Sequence, residues 1–256
     1  MTSYDGIIRR VIPDVEFHQN RYARELDEVV RPSCRWLDIG AGGRVHWGWL
    51  GPSQADLVSR ARYVIGCDLL ADALASNRLL TASVAADAEC LPFPSESFDL
   101  VSANMVLEHL PDPARVLTEV ARVLAPGGRF VFVTPNRRNP AVWLSSTLIR
   151  PAWRRRLAQW IEERPAEDVF VTCYKANTVA AIRRLAAATP LRIGRLDVFR
   201  SYPILRRPFV AVLLEAVWIR ALRWRLLRRF GANLVGQLEK PGTGAADWLL
   251  PREETR

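Results

Sequence analysis

Cys34-Arg35-Trp36-Leu37-Asp38-Ile39-Gly40-Ala41-Gly42-Gly43-Arg44 is the stretch whose reading decides the fold. An apolar run ends in an acid and then breaks into glycines, the pattern of a buried parallel strand opening into a turn where backbone must come close to a ligand. Gly40 and Gly42 can take positive φ and offer N–H groups with no Cβ in the way. Asp38 at the strand's end can accept a hydrogen bond from a cationic or hydroxylic ligand group. An ordinary strand-to-helix turn would use the same residues, so the flanking sequence has to decide.

Outward from this turn the chain alternates. Before it, Pro13 to about Val30 reads as a helix with Asp14 as its cap and Pro32 as its stop; taken singly, His18, Asn20, Arg21 and Tyr22 read as parts of a solvated face over the sheet edge. After it, the Gly- and Trp-rich patch Val45 to Pro52 reads as an elaborated loop, and Ser53 caps a short helix running to Arg62. Tyr63 to Asp68 is a second buried strand, Asp72 to Leu80 a helix, Ser83 to Ala86 a third strand, and Phe98 to Ser102 a fourth. Pro113 to Leu124 is a helix with proline in its first turn, and Arg129 to Thr134 a fifth strand. Further on come a helix over Asn177 to Ala188, a strand near Arg192 to Phe199, and a last strand over Asn233 to Glu239. Near-continuous apolar strands alternating with helices specify a doubly wound, mostly parallel α/β sheet covered on both faces. Ligands on such sheets bind beyond the carboxyl ends of the strands, where Asp38, Asp68, Asp87 and Asn104 all fall.

Composition bounds the function. The chain has 256 residues, 49% hydrophobic and 25% charged, and reads as one folded body. Net charge is +9 and the pI about 10.1, but the cations are nearly all arginine, clustered at Arg154 to Arg156 and between Arg206 and Arg229, where they alternate with Trp and Leu. That pattern suits an interfacial helix or an anionic substrate at least as well as a nucleic acid, and no nucleic-acid partner is expected. Cys34, Cys67, Cys90 and Cys173 are widely spaced without CxxC pairs or His neighbours, and Met1 to Arg10 lacks the apolar run of a signal peptide. Neither a disulfide framework nor a metal site is expected, and the expected location is the cytoplasm.

The motifs Asp38-x-Gly40-x-Gly42, Asp68-Leu69, Asp87-Ala88-Glu89-x-Leu91-Pro92-Phe93, Ser97 to Val101, Leu107-Glu108-His109-Leu110 and Arg122-Val123-Leu124-x-Pro126-Gly127-Gly128 occur in this order over Trp36 to Pro135. In order and spacing this resembles the class I S-adenosylmethionine-dependent methyltransferases, and within them the ubiquinone-biosynthesis-like branch that acts on small molecules. The resemblance implies a seven-stranded Rossmann-like methyltransferase fold over residues 1–256. It divides into a leader (1–32), a cofactor-binding half (33–135), a substrate-side half (136–240) with helical insertions, chiefly 203–230, and a tail (241–256). S-adenosylmethionine is the implied cofactor. Gly40 and Gly42 would pack against its methionine part, Asp68 would hold the ribose hydroxyls, Leu69 would touch the adenine, and Asp87 would accept from the adenine amine. Asn104 and Met105 would line the sulfonium pocket, with Asp38, Ala41, Ala88 and Tyr22 completing the binding set. The third glycine of the usual loop is Arg44 here.

The implied reaction moves a methyl group to an oxygen, less readily a nitrogen or carbon, of a small-molecule, natural-product or lipid-linked acceptor. His109 is the first candidate for a general base, ahead of His46 and His18. A nicotinamide oxidoreductase would want G-x-G-x-x-G, but Val45 stands at the third glycine's place. The alternative of another class is a binding or scaffold protein that keeps the fold and the S-adenosylmethionine site without catalysis. The segment Pro203 to Phe230 is apolar and then Arg-rich, and is expected to serve as a lid, a homodimer interface or a peripheral membrane contact. Its longest uncharged stretch, Pro208 to Leu214, falls far short of the roughly 18 residues a membrane span needs.

Overall fold

The computed structural model describes residues 10–42, 53–147, 171–201 and 209–242. Seven strands form one sheet: β1 Arg35–Ile39, β2 Tyr63–Asp68, β3 Ala82–Ala85, β4 Phe98–Asn104, β5 Leu124–Pro135, β6 Arg192–Phe199 and β7 Asn233–Glu239. Their order is β3-β2-β1-β4-β5-β7-β6, with only β7 antiparallel to its neighbours. Chain direction therefore reverses its winding between β1 and β4, and the crevice of such a sheet lies there.

The two-residue period of the strands divides the core. Trp36 and Asp38 point to one face, with Leu100 and Val131, where Tyr22 and Leu26 of α1 (His18–Val29) and Leu57 of α2 (Gln54–Arg60) cover them. Leu37 and Ile39 point to the other, with Val101, Phe130 and Phe132, under Val116, Leu117 and Val120 of α4 (Pro113–Val123) and Ile182 of α6 (Val179–Ala187). Each such fully buried aliphatic side chain contributes about 1.5 to 3 kcal/mol. The helix starts follow local chemistry: Ser53 and Asp56 form a capping box on α2, and Asp112 accepts from the N–H groups of Ala114 and Arg115 before Pro113 of α4. Two further helices, α5 (Pro140–Thr147) and α7 (Phe209–Ala221), belong to the C-terminal half.

Three sequence expectations are corrected. The helix expected from Pro13 begins at His18, because Asp14 is engaged by Arg200 at 2.9 Å and Phe17, without a capping side chain, is the N-cap. Its first turn is not solvated: His18, Asn20 and Tyr22 are buried. The helix expected over Asp72 to Leu80 is only α3, Ala71–Ala75, stopped where Ser76 and Asn77 close the turn onto Ala73 and Leu74. The Trp-rich patch, His46 and the Arg154–Arg156 cluster lie outside the described residues.

Candidate active site

Along the rim at the carboxyl ends of the parallel strands, sheet order places Asp87, Asp68, Asp38 and Asn104 side by side, after β3 and at the ends of β2, β1 and β4. The glycine turn follows β1 with Gly40 at φ +67° and Gly42 at φ +40°. A Cβ on Gly40 would come within 2.3 Å of Val106 Cγ2, so glycine is required by space as well as by backbone angle. The expectation that both glycines hold their N–H groups out to a ligand is overturned. Gly40 donates to the Cys67 carbonyl at 2.7 Å and Gly42 to Asp68 Oδ2 at 3.0 Å, because a buried turn must satisfy its own donors. Ala41 is fully buried and also donates to Cys67, at 3.2 Å.

Asp68 stands half-buried at the end of β2, taking the Gly42 N–H on Oδ2 and the Leu70 N–H on Oδ1, at 3.0 Å each. Each carboxylate oxygen has a second lone pair, which leaves capacity for two hydroxyl donors. Leu69 beside it is 71% exposed, a bare apolar platform at a polar rim. Asp87 is exposed and accepts a turn bond from Glu89 N–H at 2.9 Å, while Ala88 packs on the core. This loop is held from below by Arg122, which donates to the Phe93 and Leu91 carbonyls and pairs with Glu119.

Asp38 sits inward of the rim. It is 1% exposed, accepts from Ser102 Oγ at 2.5 Å, and Ser102 in turn accepts from Trp36 Nε1 at 2.7 Å. Burial drives its carboxyl up to about 8, against the Ser102 hydrogen bond that lowers it. Tyr22 is fully buried, and its phenol is pushed well up, first by burial and then by the negative field of Asp38. Ser102 was missed from sequence; a lone hydroxyl in an apolar strand, in register with Asp38, is the signal that finds it.

Asn104 exchanges two amide hydrogen bonds with Gln19, at 2.9 and 2.8 Å, so the first turn of α1 closes over the crevice. Met105 follows at φ +57°, a strained angle for a side chain with a Cβ, held by a 2.9 Å bond to the Val133 carbonyl; strain of this kind is concentrated at functional sites. His109 Nδ1 lies 2.8 Å from the Val171 carbonyl and so carries the proton, while Nε2 lies 3.8 Å from Glu108 Oε1. His18 is buried, with its Nδ1 at 3.3 Å from Ser201 Oγ.

A methyltransferase-domain family matches residues 37–132. Ubiquinone biosynthesis O-methyltransferase of Hahella chejuensis is 39% identical over 128 residues, 46% of this chain and 50% of that protein. Demethylmenaquinone methyltransferase of a Mycobacterium species, strain KMS, is 33% identical over 157 residues, 59% of this chain and 66% of that protein. Over residues 37–132 the chain is similar to methyltransferases, with quinone-biosynthesis enzymes among them.

The chain spans between half and two thirds of the length of these relatives. An S-adenosylmethionine-dependent methyltransferase of Mesorhizobium loti superposes with a TM-score of 0.56 at 21% identity over 86% of this chain and 96% of that one, which is a likeness of fold. The methyltransferase cofactor is S-adenosylmethionine, and the rim fits it: a carboxylate with two open acceptor positions suits vicinal hydroxyls, exposed Leu69 suits a flat ring, and no Cβ fills the turn at Gly40 or Gly42. Two clefts, of about 600 and about 630 Å³, lie off this turn.

Proposed function

We propose that this methyltransferase moves a methyl group to an oxygen of a small acceptor, and the observation that carries the reading is the continuous rim of Asp87, Asp68 and Asn104 beside the glycine turn. Residues 33–135 then hold the cofactor and 136–240 face the acceptor. When bound, S-adenosylmethionine supplies a methyl group activated on a sulfonium. Asp68 fixes the ribose end, Leu69 the adenine face, Asp87 the adenine amine, and Asn104 with Met105 walls the reacting end.

Most of the acceleration then comes from alignment, since holding two reactants in line removes the entropy cost of their encounter. The acceptor enters through a cleft of about 630 Å³ between Pro111, Arg137 and Tyr174, which begins two residues along the chain from His109. With Nδ1–H bonded to the Val171 carbonyl, His109 Nε2 is the nitrogen that takes the proton of an acceptor hydroxyl, and the imidazolium so formed lies close to Glu108. The quinone-biosynthesis relatives support a hydrophobic acceptor, lipid-linked or natural-product-like. The apolar outer face of α7, followed by Arg223, Arg225, Arg228 and Arg229, suits contact with an anionic membrane surface.

Incubation with S-adenosylmethionine labelled in its methyl group and a panel of phenols and quinols tests this. Label recovered as an alkali-stable ether, with turnover reduced about 10²-fold or more in His109→Ala, is the expected result. Label bound by the protein but never transferred would favour a binding or scaffold role. Undiminished turnover by His109→Ala would remove that residue as a base.

A further inference from the structure

The second cleft, of about 600 Å³, lies where β6 ends and α1 begins, and its charged lining is Arg21, Arg200, Arg223 and Arg228 against Asp14 and Glu16. Its acids are already shared. Asp14 faces Arg200 at 2.9 Å and Arg223 at 3.9 Å, and Glu16 pairs with Arg24, outside the lining. Arg21 is answered by Glu25 at 2.6 Å and Asp197 at 3.4 Å. Arg228 has no ion-pair partner among the described residues. Arg200 and Arg223 thus share one carboxylate, and Arg228 faces the cleft beside them without one.

Two guanidinium nitrogens of this lining, Arg21 Nε and Arg200 Nη1, are buried without a hydrogen-bond acceptor. A buried donor left unpaired is a standing cost that an acceptor in the cleft would remove. We propose that this cleft is a phosphate subsite, which holds a phosphate or diphosphate group carried by the methyl acceptor. The lining's surplus of four arginines over two acids matches a group of charge near −2, and the guanidinium fork matches phosphate oxygens bidentately.

Its position gives the subsite a use. β6 runs parallel to β4, so the end of β6 lies on the same rim as Asn104, three strands away and on the order of 15 Å at ordinary strand spacing. Adjacent residues of α1 join the two places: His18 bonds Ser201 just past β6, and Gln19 bonds Asn104. An elongated acceptor with its phosphate at one end and its hydroxyl at the other fits this span. That link to the acceptor rests on the methyl-transfer reading above, whereas phosphate binding does not.

Isothermal titration of the full chain with inorganic diphosphate tests the subsite, with S-adenosylmethionine affinity measured alongside. Arg228→Gln is the informative variant, since it breaks no ion pair, and Arg225→Gln, an exposed arginine outside the lining, removes the same charge. Diphosphate binding weakened at least about tenfold by Arg228→Gln and little by Arg225→Gln, with cofactor affinity unchanged in both, is the expected result. Co-sedimentation with phosphatidylcholine vesicles, with and without phosphatidic acid, identifies the source: retention only with phosphatidic acid that is lost in Arg228→Gln and kept in Arg225→Gln makes it a lipid headgroup, and diphosphate binding without such retention makes it a soluble phosphate. No binding of either probe, or equal losses in the two variants, overturns the subsite. Absence of S-adenosylmethionine binding would instead count against the methyl-transfer reading and leave the diphosphate result standing.

Discussion

Asp38 is the residue whose environment departs furthest from its sequence neighbourhood. Unfolded, it ionises near 3.8; folded, burial raises it to about 8. Between those values the folded chain holds a proton that the unfolded chain has lost, so this group's contribution to stability falls as pH rises from about 4 to about 8 and is level above. Thermal melts of wild type and Asp38→Asn across that range should diverge, with the variant gaining relative to wild type as pH rises; parallel curves would show that Asp38 is ionised in the fold. A different constraint acts at Gly40. Alanine there meets Val106 Cγ2 at 2.3 Å and must sit at φ +67°, which predicts a loss of about 1 to 3 kcal/mol in a denaturant titration. Full stability of Gly40→Ala would contradict the packing described for the turn. Sequence alone placed Asp38 at the strand end but not its depth, since depth depends on Tyr22 and Ser102, which are distant in the chain.

Elements with strong periodicity were legible almost to the residue: β2, β6 and β7 occupy the spans expected of them. Elements whose ends are set by tertiary contacts were not. α1 starts late because Asp14 is drawn to Arg200, and its first turn is buried because Gln19 closes on Asn104. α7 shows why Pro203 to Phe230 resisted assignment from sequence. Val212, Ala216 and Ile219 pack with Ile12, while Val210, Leu214 and Val217 are bare on the opposite side, so the helix is apolar all round and periodicity has no face to report. If that bare face meets an anionic membrane, the full chain should co-sediment with anionic vesicles, and Leu214→Glu together with Val217→Glu should release it. Retention of the double variant, or no binding by wild type, would leave the face without that role.

Across the whole molecule, the order β3-β2-β1-β4-β5-β7-β6 brings four scattered polar positions onto one rim, where the motifs between Trp36 and Pro135 lead one to expect the cofactor. The acceptor side was not readable in the same way. Its charged lining is gathered from α1, the end of β6 and the segment after α7, positions some two hundred residues apart that no local pattern connects. The account stands or falls on the rim, and the direct measurement is calorimetric titration of the full chain with S-adenosylmethionine, repeated on Asp68→Ala and Asp87→Ala. Asp87 is the cleaner of the two, being exposed and accepting a local turn bond from Glu89, whereas Asp68 also anchors Gly42. Saturable one-site binding by wild type, weakened by about 1 to 3 kcal/mol in each variant, is the predicted result; unchanged affinity in both variants would contradict the placement of the cofactor on this rim.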